Sequence, residues 1–159
     1  MTRNPAIASL LAQLDEAFDR RSWHGTNLRG TLSRLPPEAR LWRPGPERPN
    51  PWELMIHAAY WKYIVLKALE PEAGHAFGER GSNFFLREAP LSEADWREDL
   101  RRLDAFHRAL VGATSRLRPR ELSLPAPGRR ETAFALLAGV AAHDLHHAGQ
   151  IQLIRRLKG

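Results

Sequence analysis

The sequence predicts an all-α protein, a four-helix bundle that forms one domain over residues 1–159. Apolar residues recur at helical spacing in four segments, joints rich in proline and glycine separate these segments, and no run alternates strongly enough to predict a strand. The 159 residues, of which 43% are hydrophobic, are enough for one sizeable core and too few to expect two domains.

Helix one is predicted to begin at Pro5 with Asn4 as its N-cap, because proline fits the first helical position. Apolar residues then follow at helical spacing, at Ile7, Leu10, Leu11, Leu14 and Phe18. We expect this helix to continue, with a bend near Gly25, through Leu28 and Leu32 until the Pro36-Pro37 pair ends it.

Helix two is predicted to begin in the same way. The preceding segment, residues 36–51, contains six prolines and should be an extended, non-helical connection. Asn50 is the expected N-cap, Pro51 the first helical residue, and Glu53 the third position of a capping box. From Trp52 to Leu69 the helix is apolar almost all round, so it should be the most buried element.

Helices three and four follow two further joints. Glycines at positions 74, 78 and 81 predict a loop, after which Ser92 and Asp95 start helix three. Its apolar stripe consists of Trp96, Leu100, Leu103, Leu110, Val111 and Leu117. Residues 118–130 form a loop rich in proline and arginine, and helix four is expected over about 131–157.

Two histidines four residues apart indicate the chemistry of the chain. His143 and His147 lie one above the other on a helix, so both imidazoles can converge on one cation. They belong to the apolar stripe of helix four, whose other members are Leu136, Val140, Ile151 and Ile154. Buried imidazoles need partners for both ring nitrogens, and a shared divalent metal with outer hydrogen bonds supplies them. The spacing therefore predicts a metal site that faces the core.

His57 is the candidate for a third ligand. Because the chain has no cysteine, the remaining ligand must be another histidine or a carboxylate. His57 lies in the most apolar helix, where a lone imidazole is otherwise hard to explain. Taken alone, it is as readily a core histidine bonded to a backbone carbonyl. Together with the inward-facing pair on helix four, the metal interpretation is favoured.

The composition argues against several other classes of function. Without cysteine there are no disulfides and no thiol nucleophile, and no Glu stands between His143 and His147 as in zinc peptidases. The net charge of +6 comes largely from scattered arginines, and no basic run alternates with exposed aromatics, so the pattern favours a solvated arginine-rich surface over nucleic-acid binding. The chain lacks a signal core and any span of roughly 18 uncharged residues, so we expect a cytoplasmic protein without a membrane partner.

Three motifs resemble those of the DinB/YfiT-like superfamily of four-helix-bundle proteins. They are Ser22-Trp23-His24-Gly25 in helix one, Trp52-Glu53-Leu54 before His57 in helix two, and His143-Asp-Leu-His-His147-Ala-Gly-Gln-Ile151 in helix four. The last is specific and the others support it. The resemblance covers nearly the whole chain and implies an up-down-down-up bundle that is often a homodimer.

The resemblance also implies a metal site. In similar proteins a divalent metal, usually zinc or nickel, is bound by one histidine of helix two and two of helix four, here His57, His143 and His147. Characterised members include thiol S-transferases that use bacillithiol or mycothiol, and an isomerase that acts with mycothiol. His24 matches the family's Trp-His-Gly and is a candidate cofactor-binding residue near the metal. Local packing against Trp23 is the alternative for His24.

The other polar and aromatic residues have simpler interpretations. His146 is expected at the surface or an interface, and His107 in a structural role beside the stripe of helix three. Asp144 either orients a ligand imidazole or is an ordinary exposed carboxylate. The tryptophans are predicted to be core residues, with one or two lining a pocket, namely Trp23, Trp42, Trp52, Trp61 and Trp96.

Two classes of function therefore lead. The first is a metal-dependent enzyme that activates a small-molecule thiol against an electrophilic substrate, as an S-transferase, or water, as a hydrolase. Its thiol would come from a low-molecular-weight cofactor such as bacillithiol, since the chain has none. The second is a non-catalytic metal-containing module for binding or stress response. A basic nucleic-acid binder is a third and weaker hypothesis.

Overall fold

Five α-helices and three 3-10 turns form the computed structural model, which describes residues 4–159. The helices are α1 (Pro5–Phe18), α2 (Leu28–Ser33), α3 (Pro51–Leu69), α4 (Glu93–Arg116) and α5 (Ala133–Lys158). The 3-10 turns are Pro37–Ala39, Pro71–Ala73 and Pro119–Ser123. The described residues contain no strand, apart from one isolated bridge between Pro125 and Thr132. The predicted all-α fold class is confirmed.

The four long helices pack around a common core. α1 and α3 each contact both α4 and α5, so α1 and α3 occupy one diagonal of the bundle. The short α2 packs against α5. Buried apolar residues of α1, α3, α4 and α5 form one cluster of the core, and those of α2 to α5 form a second together with Phe18 at the end of α1. Within residues 4–159, every helix is too short or too polar to cross a membrane.

The first predicted helix is broken in two, so the prediction of one bent helix is wrong. α1 ends at Phe18, and residues 19–27 form a loop in which Gly25 has a φ of +92°, a left-handed conformation that cannot continue an α-helix. The side chain of Asn27 then accepts a hydrogen bond from the Gly30 N–H at 2.7 Å and starts α2. The Ser22–Gly25 motif therefore lies in a loop, and Trp23, predicted as core, is 95% exposed.

The start of α3 is tied to both flanking connections. The predicted capping box between Asn50 and Glu53 is present. The carboxylate of Glu53 also accepts from the Arg43 guanidinium at 2.7 and 2.5 Å and from the Arg87 backbone N–H at 3.0 Å. The Trp52 indole N–H donates to Asp99 of α4 at 2.8 Å. These bonds hold the loops on either side of α3 against its first turn.

Two further expectations concern the connection before α3 and the burial of the tryptophans. The segment 36–51 is not wholly extended, because Pro37–Ala39 makes a 3-10 turn that begins on proline. Trp52 and Trp96 are buried, as predicted, and pack edge to face at 5.1 Å, whereas Trp42 is half-buried.

A buried charged cluster joins α3, α4 and α5. Lys62 and Asp144 are fully buried, and the Lys62 ammonium donates to the Asp144 carboxylate. The Lys62 Nζ also lies 3.5 Å from Nδ1 of His107, whose ring stacks on Phe18 at 3.8 Å. Asp144 is therefore neither exposed nor bonded to an imidazole, because the helix turns it toward the Lys62 ammonium. His107 has the predicted structural position, and burial together with Lys62 lowers its pKa to about 3.

Candidate metal centre

Three histidines meet where α3 and α5 pack together. His57 comes from α3, and His143 and His147 come from successive turns of α5. The Nε2 atom of His143 lies 3.0 Å from Nε2 of His57 and 3.0 Å from Nε2 of His147. All three nitrogens fall within 4.8 Å of one another. The structure thus brings together the three residues that the sequence analysis proposed as ligands.

The outer ring nitrogens determine which atoms face the centre. Nδ1 of His57 donates to the Asn83 carbonyl oxygen at 2.7 Å, and Nδ1 of His147 donates to Oε1 of Gln150 at 2.7 Å. In neutral rings both Nε2 atoms therefore carry lone pairs. Both lone pairs point at His143 Nε2, which holds at most one hydrogen and cannot donate to two acceptors. A single cation would satisfy all three nitrogens.

The imidazoles are held in their neutral form. Burial lowers the pKa of His57, although its bond to the Asn83 carbonyl acts in the opposite direction. Burial, with the neighbouring His147 and His57, lowers the pKa of His143 to about 3. Burial likewise lowers the pKa of His147 to about 4. Since only neutral imidazoles ligate metals, the three rings are in the ligating state at neutral pH.

The spacing of the nitrogens suits a first-row metal. Zinc binds histidine nitrogen at about 2.0–2.1 Å, so two tetrahedral nitrogen ligands lie about 3.3 Å apart. The observed separations of 3.0 Å are within a few tenths of an ångström of that value. An all-imidazole donor set suits zinc, nickel, copper and iron. Three protein ligands would also leave coordination positions open, as catalytic sites require.

A loop residue missed by the sequence analysis organises the site from outside. Asn83 has a φ of +67°, a conformation that asparagine tolerates better than most residues. Its carbonyl accepts from His57, and its side-chain oxygen accepts from the Trp61 indole N–H at 3.1 Å. The next residue, Phe84, stacks on the His57 ring at 4.1 Å and an angle of 11°. The glycine-rich loop therefore covers one ligand and fixes its tautomer.

An apolar cavity of about 190 Å³ lies beside His143, between α3 and α5, and it opens to solvent where Ala135 and Gly139 are exposed. Its walls are formed by Trp61, Ile64, Val65, Ala135, Leu136, Gly139 and Val140. Arg129, in the loop before α5, supplies the one formal charge among the lining residues. Trp61 thus lines a pocket, as predicted for one or two of the tryptophans.

The remaining histidines lie outside this centre. His24 is exposed in the loop after α1, where its Nδ1 hydrogen-bonds to Ser22 Oγ at 3.1 Å and its ring meets Trp23 edge to face at 6.0 Å. These contacts correspond to the local packing considered as its alternative, and its cofactor-binding role stays a prediction. His146 is exposed, with its ring 5.0 Å from that of His147, as expected for a surface position.

A comparison with protein-family models identifies the family. The model described as the DinB superfamily matches residues 19–151. This match covers most of the sequence, and the chain belongs to the DinB superfamily. No curated protein and no solved structure matches it. The family resemblance inferred from the three motifs is confirmed.

Proposed function

We propose that this member of the DinB superfamily is a metal-dependent enzyme that activates a thiol at a centre formed by His57, His143 and His147. One observation carries the proposal: three neutral imidazoles direct Nε2 atoms to a common point, 3.0 Å apart in two of the pairs. Zinc or nickel is the proposed metal, because imidazole nitrogen suits both.

The residues around the centre have separate roles in this proposal. A divalent metal bound by three imidazoles acts as a Lewis acid that lowers the pKa of a thiol or water in an open position. Asn83 and Gln150 hold the tautomers of two ligands, and Phe84 shields one face of His57. The thiol comes from a cofactor such as bacillithiol, because the chain has no cysteine. The cavity beside His143 leaves room for the electrophile.

Metal analysis tests the ligand set. His57→Ala and His147→Ala should each remove most of the divalent metal from the purified protein, because two imidazoles hold a metal far less firmly than three. His146→Ala is the matched control, since this histidine is exposed and next to His147 on the same helix. Equal metal content in all three variants would refute the assignment.

A conjugation assay tests the chemistry. The zinc- or nickel-loaded protein is incubated with bacillithiol, mycothiol or glutathione and the electrophile monochlorobimane. The conjugation rate should exceed the rates with free metal and with the His143→Ala variant. A rate equal to these controls for every thiol contradicts thiol activation. Metal-dependent ester hydrolysis by the same sample would then support the hydrolase, and its absence the non-catalytic metal-containing module.

A further inference from the structure

We propose that the cavity beside His143 binds the apolar body of a small carboxylic acid, whose carboxylate is held by Arg129. This inference rests on the proposed function, in which a thiol reacts with an electrophile. It names the class of the electrophile, which carries one carboxylate at the end remote from its reacting group. The binding site itself is defined by residues outside the three proposed ligands, apart from His143.

The walls of the cavity select an apolar body. The residues from α3 and α5 are apolar except for His143 and the indole N–H of Trp61, which already donates to Asn83. A cavity of about 150 Å³ lined by aliphatic and aromatic side chains holds benzene. The volume of about 190 Å³ therefore admits a benzene-sized group with a short substituent. A sugar-containing thiol such as bacillithiol does not match these walls, so the cavity is assigned to the electrophile.

The backbone of Arg129, which is exposed at the mouth of the cavity, is held in place by its loop. Gly128 turns the chain with a φ of +71°, and the Arg129 N–H donates to the Ala126 carbonyl at 2.9 Å. The Ala126 N–H in turn donates to the Glu131 carbonyl at 2.9 Å, and the Ala133 N–H donates to the Leu124 carbonyl at 3.2 Å. These backbone bonds close residues 124–133 into a tight loop that leads directly into α5.

The guanidinium of Arg129 is available for a ligand. It makes no ion pair with any residue in 4–159, whereas several other arginines, including Arg43, Arg87 and Arg102, are paired with carboxylates. A guanidinium matches a carboxylate with two parallel hydrogen bonds. The adjacent N-terminal end of α5 carries a partial positive charge that adds to the attraction. The expected ligand is therefore an anion, and a carboxylate in particular.

The order of the lining residues along α5 places the two ends of the ligand. On α5, the lining residues run from Ala135 to His143, and eight residues of helix span roughly 12 Å. A small molecule that lies along this part of α5 would have its anionic group toward Arg129 and its other end toward His143. This order puts the reacting group beside the proposed metal and the charge away from it.

Binding of phenylacetate, measured by titration calorimetry, tests the charge at Arg129. Arg129→Gln should weaken phenylacetate binding by up to about fivefold, because Arg129 is exposed and an exposed charge pair contributes at most about 1 kcal/mol. Binding of the neutral phenylacetamide should change little. Arg130→Gln is the matched control, because Arg130 is the next residue in the same loop and does not line the cavity. Equal weakening by both variants would show a diffuse charge effect and overturn the assignment.

Filling the cavity tests its location. A Cβ built on Gly139 meets no atom within 4 Å, so the Gly139→Leu side chain has space to enter the cavity that Gly139 lines. Gly149→Leu is the control, because Gly149 has the same open surroundings on the same helix and does not line the cavity. Leucine favours helix over glycine in both variants, and circular dichroism checks their fold. Gly139→Leu should abolish binding of phenylacetate and Gly149→Leu should retain it. The reverse pattern, or binding by both, overturns the proposal.

Metal-free protein separates this inference from the proposed function. Phenylacetate should bind the metal-free protein within about threefold of its affinity for the metal-loaded form, since Arg129 is the anion partner. If removal of the metal abolishes phenylacetate binding, the acid binds at the metal. If bacillithiol displaces phenylacetate, the cavity is assigned to the thiol. Either result overturns the inference while the proposed function stands. Binding as expected without any thiol conjugation would instead contradict the proposed function alone.

Discussion

The buried ion pair between Lys62 and Asp144 connects the two helices that carry the three histidines. Lys62 lies on α3 a little over one turn after His57, and Asp144 is the residue directly after His143 on α5. Both side chains are fully buried, so neither charge has water as an alternative partner. Asp144 Oδ1 has no hydrogen-bond partner among the described residues, so its carboxylate depends on the Lys62 ammonium. We therefore predict that Lys62→Met strongly destabilises the fold.

The magnitude follows from the burial of both partners. Removing one member of a buried pair leaves an uncompensated charge and costs about 3–5 kcal/mol. In a domain of about 150–250 residues, 1 kcal/mol corresponds to roughly 2–4 °C in Tm. Lys62→Met should therefore lower the Tm of the metal-free protein by roughly 6–20 °C. The double variant with Asp144→Leu should recover most of this loss, because it leaves no unpaired charge.

Thermal unfolding followed by circular dichroism, at pH 7 with a chelator present, measures these changes without a contribution from bound metal. Arg101→Met is the control, because Arg101 pairs with Glu98 at the surface with side chains 66% and 60% exposed. Such a pair contributes at most about 1 kcal/mol. If Lys62→Met costs no more than Arg101→Met, or if the double variant is no more stable than the single one, the buried-pair argument is refuted.

Three other predictions concern pH and charge. His107 has a pKa of about 3 in the fold and about 6.5 when unfolded, so the unfolded state binds the extra proton and stability should fall as pH decreases through this window. His107→Phe, which can keep the stacking on Phe18, should flatten that slope in denaturant titrations, and an unchanged slope would contradict the reasoning. Because the pKa values of His143 and His147 are about 3 and 4, metal should be retained in stepped-pH dialysis below the range of about 5.5–6 where unperturbed imidazoles release it. Release of the metal within that range or above it would contradict this prediction. Duplex DNA should bind no tighter than about 10⁻⁴ to 10⁻⁶ M at physiological salt, and submicromolar binding would overturn that prediction.

Helix starts were predictable because their signals are local. The Asn-Pro pairs before α1 and α3 and the Ser92–Asp95 capping box act within one turn, so the sequence shows them directly. The end of α1 was less visible, because Leu28 and Leu32 keep a helical spacing with the preceding apolar residues. That spacing is real, since both residues are buried in α2. Periodicity reports which residues face the core, and it does not show that the backbone between them is helical.

The three candidate ligands of the centre were predictable from the sequence, whereas the residues that hydrogen-bond to their outer nitrogens were not predicted. His143 and His147 share one helix, so their spacing alone brings the two rings together, and His57 was found as an imidazole without a local explanation. Asn83 acts across 26 positions of sequence through its backbone carbonyl, which any residue type possesses, so no pattern in the chain marks it. Gln150, by contrast, lies three residues after His147 on the same helix, and that spacing was a usable signal for the outer hydrogen bond.

The buried charges show why helical periodicity misplaces polar residues. Lys62 interrupts an otherwise apolar helix, and Asp144 was interpreted as either a partner of a ligand imidazole or an exposed carboxylate, because each helix was considered alone. Burial becomes possible only because opposite charges from α3 and α5 meet, and that meeting depends on how the two helices pack. Opposite charges in two otherwise apolar helices were the available signal, although many exposed pairs would share it. The same packing brings His57 to His143, so a residue that seems misplaced in one helix indicates which helix must lie against it.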